Sequence, residues 1–219
     1  MTSETPFVHL HVHTEYSLLD GAIRIKDLLE RAGDYNMPAV AITDHGTMFG
    51  VVDFYQQAQK AGIKPIIGCE CYVAPRSRHD KTPADQKGMS HLVLLAENQE
   101  GYQNLCKLAT LASVEGFYYK PRIDRQALEA HHNGLIALSA CIKGEIPGWI
   151  LQGRQDKADE AALYYNDLFG PGNFYLEVQQ NGMADQETVN RAIADMSRRL
   201  SIPMVATNDC HYLDAGDER

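Results

Sequence analysis

Ala39-Val-Ala-Ile-Thr-Asp-His-Gly46 sets the reading of the fold. Four apolar residues between Pro38 and Gly46 are too short a run for a helix and fit a strand buried on both faces. At the carboxyl end of that run stand Asp44 and His45, two side chains able to hold a proton or a metal ion. The pattern recurs in apolar runs at Phe7–His13, Pro65–Val73, His91–Ala96, Leu135–Ala140, Phe174–Val178 and Met204–Thr207. Between the runs lie stretches of helical period at Ile25–Asn36, Met48–Ala61, Gln99–Ala112, Asp156–Phe169 and Ala184–Leu200. Asn36-Met-Pro38, Ala61-Gly62 and Ser201-Ile-Pro203 each stop a helix before the next strand.

Alternating strands and helices predict an α/β fold with right-handed parallel crossovers, closed or nearly closed into a (βα)7 barrel. In such a barrel the chemistry sits at the carboxyl ends of the strands. His11-Val-His13, Asp44-His45, Glu70 between Cys69 and Cys71, and Asp209-Cys-His211 all fall at or just beyond such ends. Side chains alternate along a strand, so His9, His11 and His13 are expected on one face, and Glu70 opposite Cys69 and Cys71. Asp209 and His211 likewise share a face, with Cys210 turned away. Imidazole and carboxylate converging from separate strands suit zinc, manganese or iron, and a carboxylate such as Glu70 can bridge two ions. Taken singly, His11 and His13 also fit buried, hydrogen-bonded histidines, and Asp20-Gly21 a simple turn.

The 219 residues, with 44% hydrophobic and 22% charged, fit one domain spanning 1–219. A net charge of −9 excludes a broad electrostatic grip on nucleic acid, while leaving open a local contact with an end or a single strand. The five cysteines form no CxxC pair and no even framework, which suits a reducing, cytoplasmic setting. No run is long enough to cross a bilayer and no secretory leader is visible, so no membrane partner is expected. Pro75–Met89 is polar and reads as a surface loop. A second loop, Val114–Asp124, carries Gly116-Phe-Tyr-Tyr-Lys-Pro-Arg122; Tyr118-Tyr119 could stack a base or pack against a neighbouring domain.

These residues resemble the polymerase and histidinol phosphatase (PHP) domain, in the version found at the N-terminus of the bacterial replicative DNA polymerase III alpha subunit. The resemblance rests on His9-Leu-His-Val-His-Thr-Glu-Tyr-Ser-Leu-Leu-Asp-Gly21, Ile42-Thr-Asp-His-Gly46 and Pro65-Ile-Ile-Gly-Cys-Glu70. It continues through His91-Leu-Val-Leu-Leu-Ala96, Gly116–Arg122, Leu138-Ser-Ala-Cys141 and Thr207-Asn-Asp-Cys-His211, in that order along nearly the whole chain. It implies the PHP fold, a distorted TIM-like barrel, and nine ligands for up to three zinc or manganese ions. His11, His13, Glu70 and Asp209 would hold one ion. Glu70 would bridge to a second completed by His91 and Cys141, and Asp20, His45 and His211 would hold a third. His91 opens its strand, the wrong end for a ligand on a parallel barrel, so an irregular segment is expected to carry it.

The implied chemistry is metal-assisted phosphoester hydrolysis, as 3′→5′ exonucleolytic proofreading at a single-stranded or frayed DNA 3′ end. Glu70, His13, Asp209 and Asp44 are expected to carry it, Asp44 by orienting a ligand imidazole. Lys143, Lys120 and Arg122, in loops beyond strand ends, are candidate phosphate contacts. The implied partners are the remaining domains of a polymerase alpha subunit and a separate proofreading exonuclease subunit. Because the chain stops at Asp217-Glu-Arg219 without a closing helix, it reads as a fragment of such a subunit, without the polymerising residues. Two other readings stand beside this one: a structural domain whose metals brace the barrel, and a free-standing phosphatase of the histidinol-phosphate type.

Overall fold

The computed structural model describes residues 7–217. In chain order the elements are α1 (Ile25–Asp34), β1 (Ala39–Ile42), α2 (Val51–Ala61), β2 (Lys64–Val73), α3 (Pro83–Lys87), β3 (Ser90–Ala96), α4 (Gln99–Val114) and β4 (Arg122–Ile123). They continue with α5 (Arg125–His131), β5 (Leu135–Leu138), α6 (Glu145–Leu151), α7 (Gln155–Phe169), β6 (Phe174–Gln179), α8 (Ala184–Leu200) and β7 (Met204–Thr207). The long helices end where the sequence places breakers. Gly62 caps α2 in the left-handed region (φ 71°), and Ser201 does the same for α8 (φ 57°). Along α8, Val189, Ile193 and Met196 are fully buried; covering each stabilises the packed helix by about 1.5–3 kcal/mol.

The strands form one curled mixed sheet in the order β1-β2-β3-β5-β6-β7, with the short β4 paired to β2. The expectation of parallel crossovers throughout needs correction, because β3 runs antiparallel to both β2 and β5 while the other pairs are parallel. A parallel return needs a crossover that climbs the length of the sheet. The β2–β3 link instead holds only the five-residue α3 and is tied to the rim. There Arg76 meets Asp85 at 2.9 Å, and Arg78 meets Asp124 at 3.1 Å and Glu115 at 2.7 Å. The chain therefore turns back beside β2.

Phe7–His13, expected as a strand, is an extended but irregular segment with a bend at His11. It nonetheless lies between the two ends of the sheet. Ala41 and Thr43 donate backbone hydrogen bonds to His9 and Val12, while His13 donates to Cys210 and Cys210 to His11. Two apolar layers pack the outer face of the curl, one against α4–α8 and one against α1 and α2. A small inner cluster of Ala41, Val93, Leu95, Leu138 and Ala140 forms the floor beneath the rim. No helix is long and apolar enough to cross a membrane, among the described residues.

Candidate metal centre

The rim residues reach one point by separate local devices. Gly21 closes the loop Thr14–Gly21 so tightly that a Cβ there would lie 2.1 Å from the Thr14 carbonyl, and this loop swings Asp20 over the rim. Ala140 (φ 63°) and Asp209 (φ 51°) sit in the left-handed region, which L-residues with a Cβ adopt at some cost, and each turns the chain where Cys141 or the Asp209 carboxylate faces inward. Antiparallel β3 resolves the position of His91: its first residues lie at the same edge as the carboxyl end of β2, with His91 opposite Tyr72.

Glu70, fully buried, is the hub. Its Oε1 is 2.9 Å from His91 Nδ1 and 3.2 Å from His11 Nε2; its Oε2 is 2.5 Å from His45 Nδ1 and 3.8 Å from His13 Nε2. Asp209 Oδ1 stands 3.2 Å from His11 Nε2 and 3.1 Å from His13 Nε2. Cys141 Sγ is 4.0 Å from both Glu70 Oε1 and His91 Nδ1. Asp20 Oδ2 lies 3.4 Å from His45 Nε2 and 4.0 Å from His211 Nε2. Three sets of donors each gather within 4.8 Å: His11-His13-Glu70, His45-Glu70-His91 and His13-His45-His211.

Electrostatics tie these groups together. Burial opposes charge on His11, yet Glu177 and Asp209 outweigh it and raise its pKa well above the usual imidazole value. His45 rises likewise, against burial, through Glu70. Burial lowers His13. Against burial, His91 and the other imidazoles hold the Glu70 carboxyl well below its usual range, and His11 and His13 bring Asp209 to about 2. Cys141 is pushed up by burial and by Glu70. A divalent ion at the rim would supply positive charge between these carboxylates, with the imidazoles as neutral ligands.

The donor set fits such an ion on a separate ground. His11 Nε2, His13 Nε2, His45 Nδ1, Glu70 Oε2 and Asp209 Oδ1 are all buried without a hydrogen-bond partner among the described residues. Buried polar atoms are ordinarily satisfied, and these five face one another too poorly aligned to satisfy themselves. Mixed nitrogen, oxygen and sulfur donors suit a transition-series divalent ion. Nδ1 of three rim imidazoles is held from behind, which turns Nε2 to the centre: His11 to Glu177 Oε1 (2.7 Å), His13 to Ser17 Oγ (3.1 Å) and His211 to the Asp209 carbonyl (2.9 Å).

The sequence-predicted residues are thus sorted. His11, His13, Asp20, His45, Glu70, His91, Cys141, Asp209 and His211 come together at the rim. Asp44 does not touch an imidazole; its carboxylate accepts from Thr14 and from Ser17, and it reaches His13 only through the Ser17 hydroxyl. Arg122, expected at a phosphate, is fully buried instead and donates to the carbonyls of Gly116, Arg78 and Asp80, so its role is to brace two loops. Lys120 stands over the Tyr72 ring at 5.4 Å, and that ring lies 5.1 Å from His91 and 5.9 Å from His45. Lys143 is exposed, its carbonyl accepting from the His91 amide. His9, expected on the face of His11, lies beside Cys210 at 3.6 Å, because the bend at His11 breaks the alternation. Cys69, Cys71 and Cys210 face the outer apolar layers. Sequence reasoning missed Ser17, Tyr72 and Glu177. Only Glu177 carried a signal: a lone carboxylate inside the apolar run Phe174–Val178.

Comparison with known proteins adds to this geometry. DNA polymerase III subunit alpha of Borreliella burgdorferi is 49% identical over 99% of the chain, and that of Thermus aquaticus 47% identical over all of it. The chain spans about a fifth of the length of these curated relatives, 19% and 18%. Among solved structures, a protein of Bifidobacterium adolescentis classed as a metal-dependent phosphoesterase superposes with a TM-score of 0.58 over 94% of this chain and 87% of that one, at 14% identity. An amidohydrolase of Chromobacterium violaceum gives 0.54 over 96% and 89%, at 15% identity. At such identities the likeness is one of fold. The profile of the PHP domain matches residues 9–181, and the chain belongs to the PHP domain family.

Proposed function

We propose that the rim is a metal-dependent phosphoesterase site holding up to three zinc or manganese ions, and that its reaction is 3′→5′ removal of a nucleotide from a DNA end. The observation that carries this reading is the convergence at the rim of five buried donor atoms, Glu70 Oε2 among them, that have no hydrogen-bond partner among the described residues. Bound divalent cations would supply an activated water and neutralise charge developing at phosphorus. The chain's own residues do the rest. Glu70 presents its two oxygens to different imidazoles, and would hold an ion with either set. Asp209 joins His11 and His13 from the far side. Lys120 and Lys143, which have no carboxylate partner among the described residues, are the cations placed to meet phosphate oxygens. The same proposal includes the remaining domains of a polymerase alpha subunit as partners and a cytoplasmic setting; the curated relatives, of which this chain matches about a fifth, support it.

The test is elemental analysis of the purified protein beside nuclease assays on 3′-ended single-stranded DNA with zinc or manganese, using His13→Ala as control. Two or three ions per chain, with cleavage lost in the variant, is the expected result. Bound metal with no variant-sensitive cleavage would replace this reading with a structural one. The latter has its own support: the donors come from the segment before α1, from just past the ends of β1, β5 and β7, from within β2 and from the start of β3, so bound ions would lace the curl together.

A further inference from the structure

We propose that Glu177 is the positioning residue that sets His11 for metal binding. Glu177 sits in β6 with its side chain on the inner face of the curl, 1% exposed, and no lysine or arginine among the described residues reaches it. Its Oε1 accepts the His11 Nδ1 proton at 2.7 Å. The same oxygen accepts from the Thr207 hydroxyl and from Gln179 Nε2 at 2.9 Å, and Gln179 Nε2 also reaches Thr207 Oγ1 at 3.3 Å. The Glu177 amide is in turn held by the Ser139 hydroxyl at 2.8 Å, two residues before Cys141.

Three donors on one oxygen define that oxygen as a carboxylate acceptor and leave His11 one tautomer: the proton on Nδ1, the lone pair on Nε2. That lone pair points between Glu70 Oε1 and Asp209 Oδ1, both 3.2 Å away. His13 and His211 are backed by a hydroxyl and a carbonyl; His11 alone is backed by a charged group. A carboxylate behind an imidazole fixes its orientation and raises its basicity as a ligand, and losing such a partner costs about ten- to hundredfold in metal affinity. A buried carboxylate without a cation is expensive. A His11 imidazole polarised by an ion on its other nitrogen is the compensation this site offers. The strand register makes the arrangement: Glu177 and Gln179 are i, i+2 neighbours on β6, and Gln179 pairs with Thr207 on β7.

The inference rests on reading the rim as a metal centre, and the test separates the two. Zinc affinity and stoichiometry are measured by chelator competition on the purified protein, and the ligand field by the visible absorption of the cobalt-substituted form. Variants are Glu177→Ala, Glu177→Gln and Thr207→Val. Glu177→Ala is expected to weaken the tightest zinc about ten- to hundredfold and alter the cobalt spectrum. Glu177→Gln, which keeps an acceptor of the same shape, should recover part of the loss, and Thr207→Val should fall between wild type and Glu177→Ala. If Glu177→Ala fails to fold, the other two variants decide. Unchanged affinity and an unchanged cobalt spectrum in the folded variants overturn the role of Glu177 alone. No zinc on the wild-type protein overturns the metal-centre reading itself.

Discussion

Glu70 is a buried carboxylate facing four imidazoles, and its shape is what divides the donors into groups. Replacing it with glutamine keeps the volume but leaves a neutral amide whose N–H₂ would face imidazole nitrogens. Glu70→Gln is expected to lose at least one ion per chain by elemental analysis and to lower any cleavage by more than about 100-fold, beyond the loss typical of outer partners. Ser17 is a subtler case. Its hydroxyl passes the Asp44 carboxylate's hold on to His13, so Ser17→Ala should weaken metal binding in the manner of Asp44→Asn, and the double variant should add little more. Additive losses in the double-mutant cycle would show that the two act separately. At this scale the candidate ligands were legible from sequence, because histidines and carboxylates recur at strand ends and match the motifs of the family. Ser17 and Tyr72 were not, since each gains its role from residues in other segments, Asp44 for Ser17 and His45 and His91 for Tyr72; Glu177 showed only as a carboxylate in an apolar run, its imidazole lying elsewhere in the chain.

Among the elements, the short α5 and the loop after β2 depend on one carboxylate. Asp124 caps α5 by accepting from the Ala127 amide at 2.9 Å, and it also takes the Arg78 amide at 2.8 Å and the Arg78 guanidinium at 3.1 Å. Burial would raise its pKa, but the Arg78 and Ala127 amides and the Arg78 charge outweigh burial and lower it. A carboxyl whose folded pKa is depressed contributes stability above its unfolded value, near 4, and loses it as pH falls through the folded value. Asp124→Asn should therefore destabilise by about 2 kcal/mol at pH 7, the scale of hydrogen bonds to a charged group. That deficit should shrink below about pH 4, followed by thermal melts of both proteins across pH; a deficit constant with pH would refute the electrostatic account. Gly21→Ala tests another element. Its Cβ would collide with the Thr14 carbonyl at 2.1 Å, so the loop must open and carry Asp20 away. Loss of one ion with the remaining ions retained is the expected metal count.

For the molecule as a whole, the curl is held at its seam by the irregular segment His9–His13, hydrogen-bonded to β1 on one side and to the residues after β7 on the other. His11 and His13 on that seam face Asp209 across it, so ions bound there would bind the folded state alone. At a free ion concentration about 100 times the dissociation constant this adds about 2.7 kcal/mol. For a chain of this size that is roughly 5–10 °C in melting temperature. Chelation should lower the melting temperature by that amount and speed amide exchange at Val12, His13 and Cys210 before the α4–α8 side. An unchanged melting temperature in a metal-loaded sample would remove the ions from the stability of the fold.

The sequence by itself determined the α/β class, the long helices with their stops, and the inventory of candidate metal ligands, because periodicity, breakers and ligand chemistry are local properties. It placed Glu70 correctly against Cys69 and Cys71, since alternation along a regular strand is local too. Only the tertiary structure decided the direction of β3. That choice depends on whether the Ala74–Met89 link is tied at the rim by Arg76 and Arg78 or crosses the sheet, and those ion pairs join distant segments. The reversal brings His91 to the rim, and the bend at His11 takes His9 away from it. Burial, likewise non-local, takes Arg122 out of the substrate's reach and gives Glu177 its imidazole.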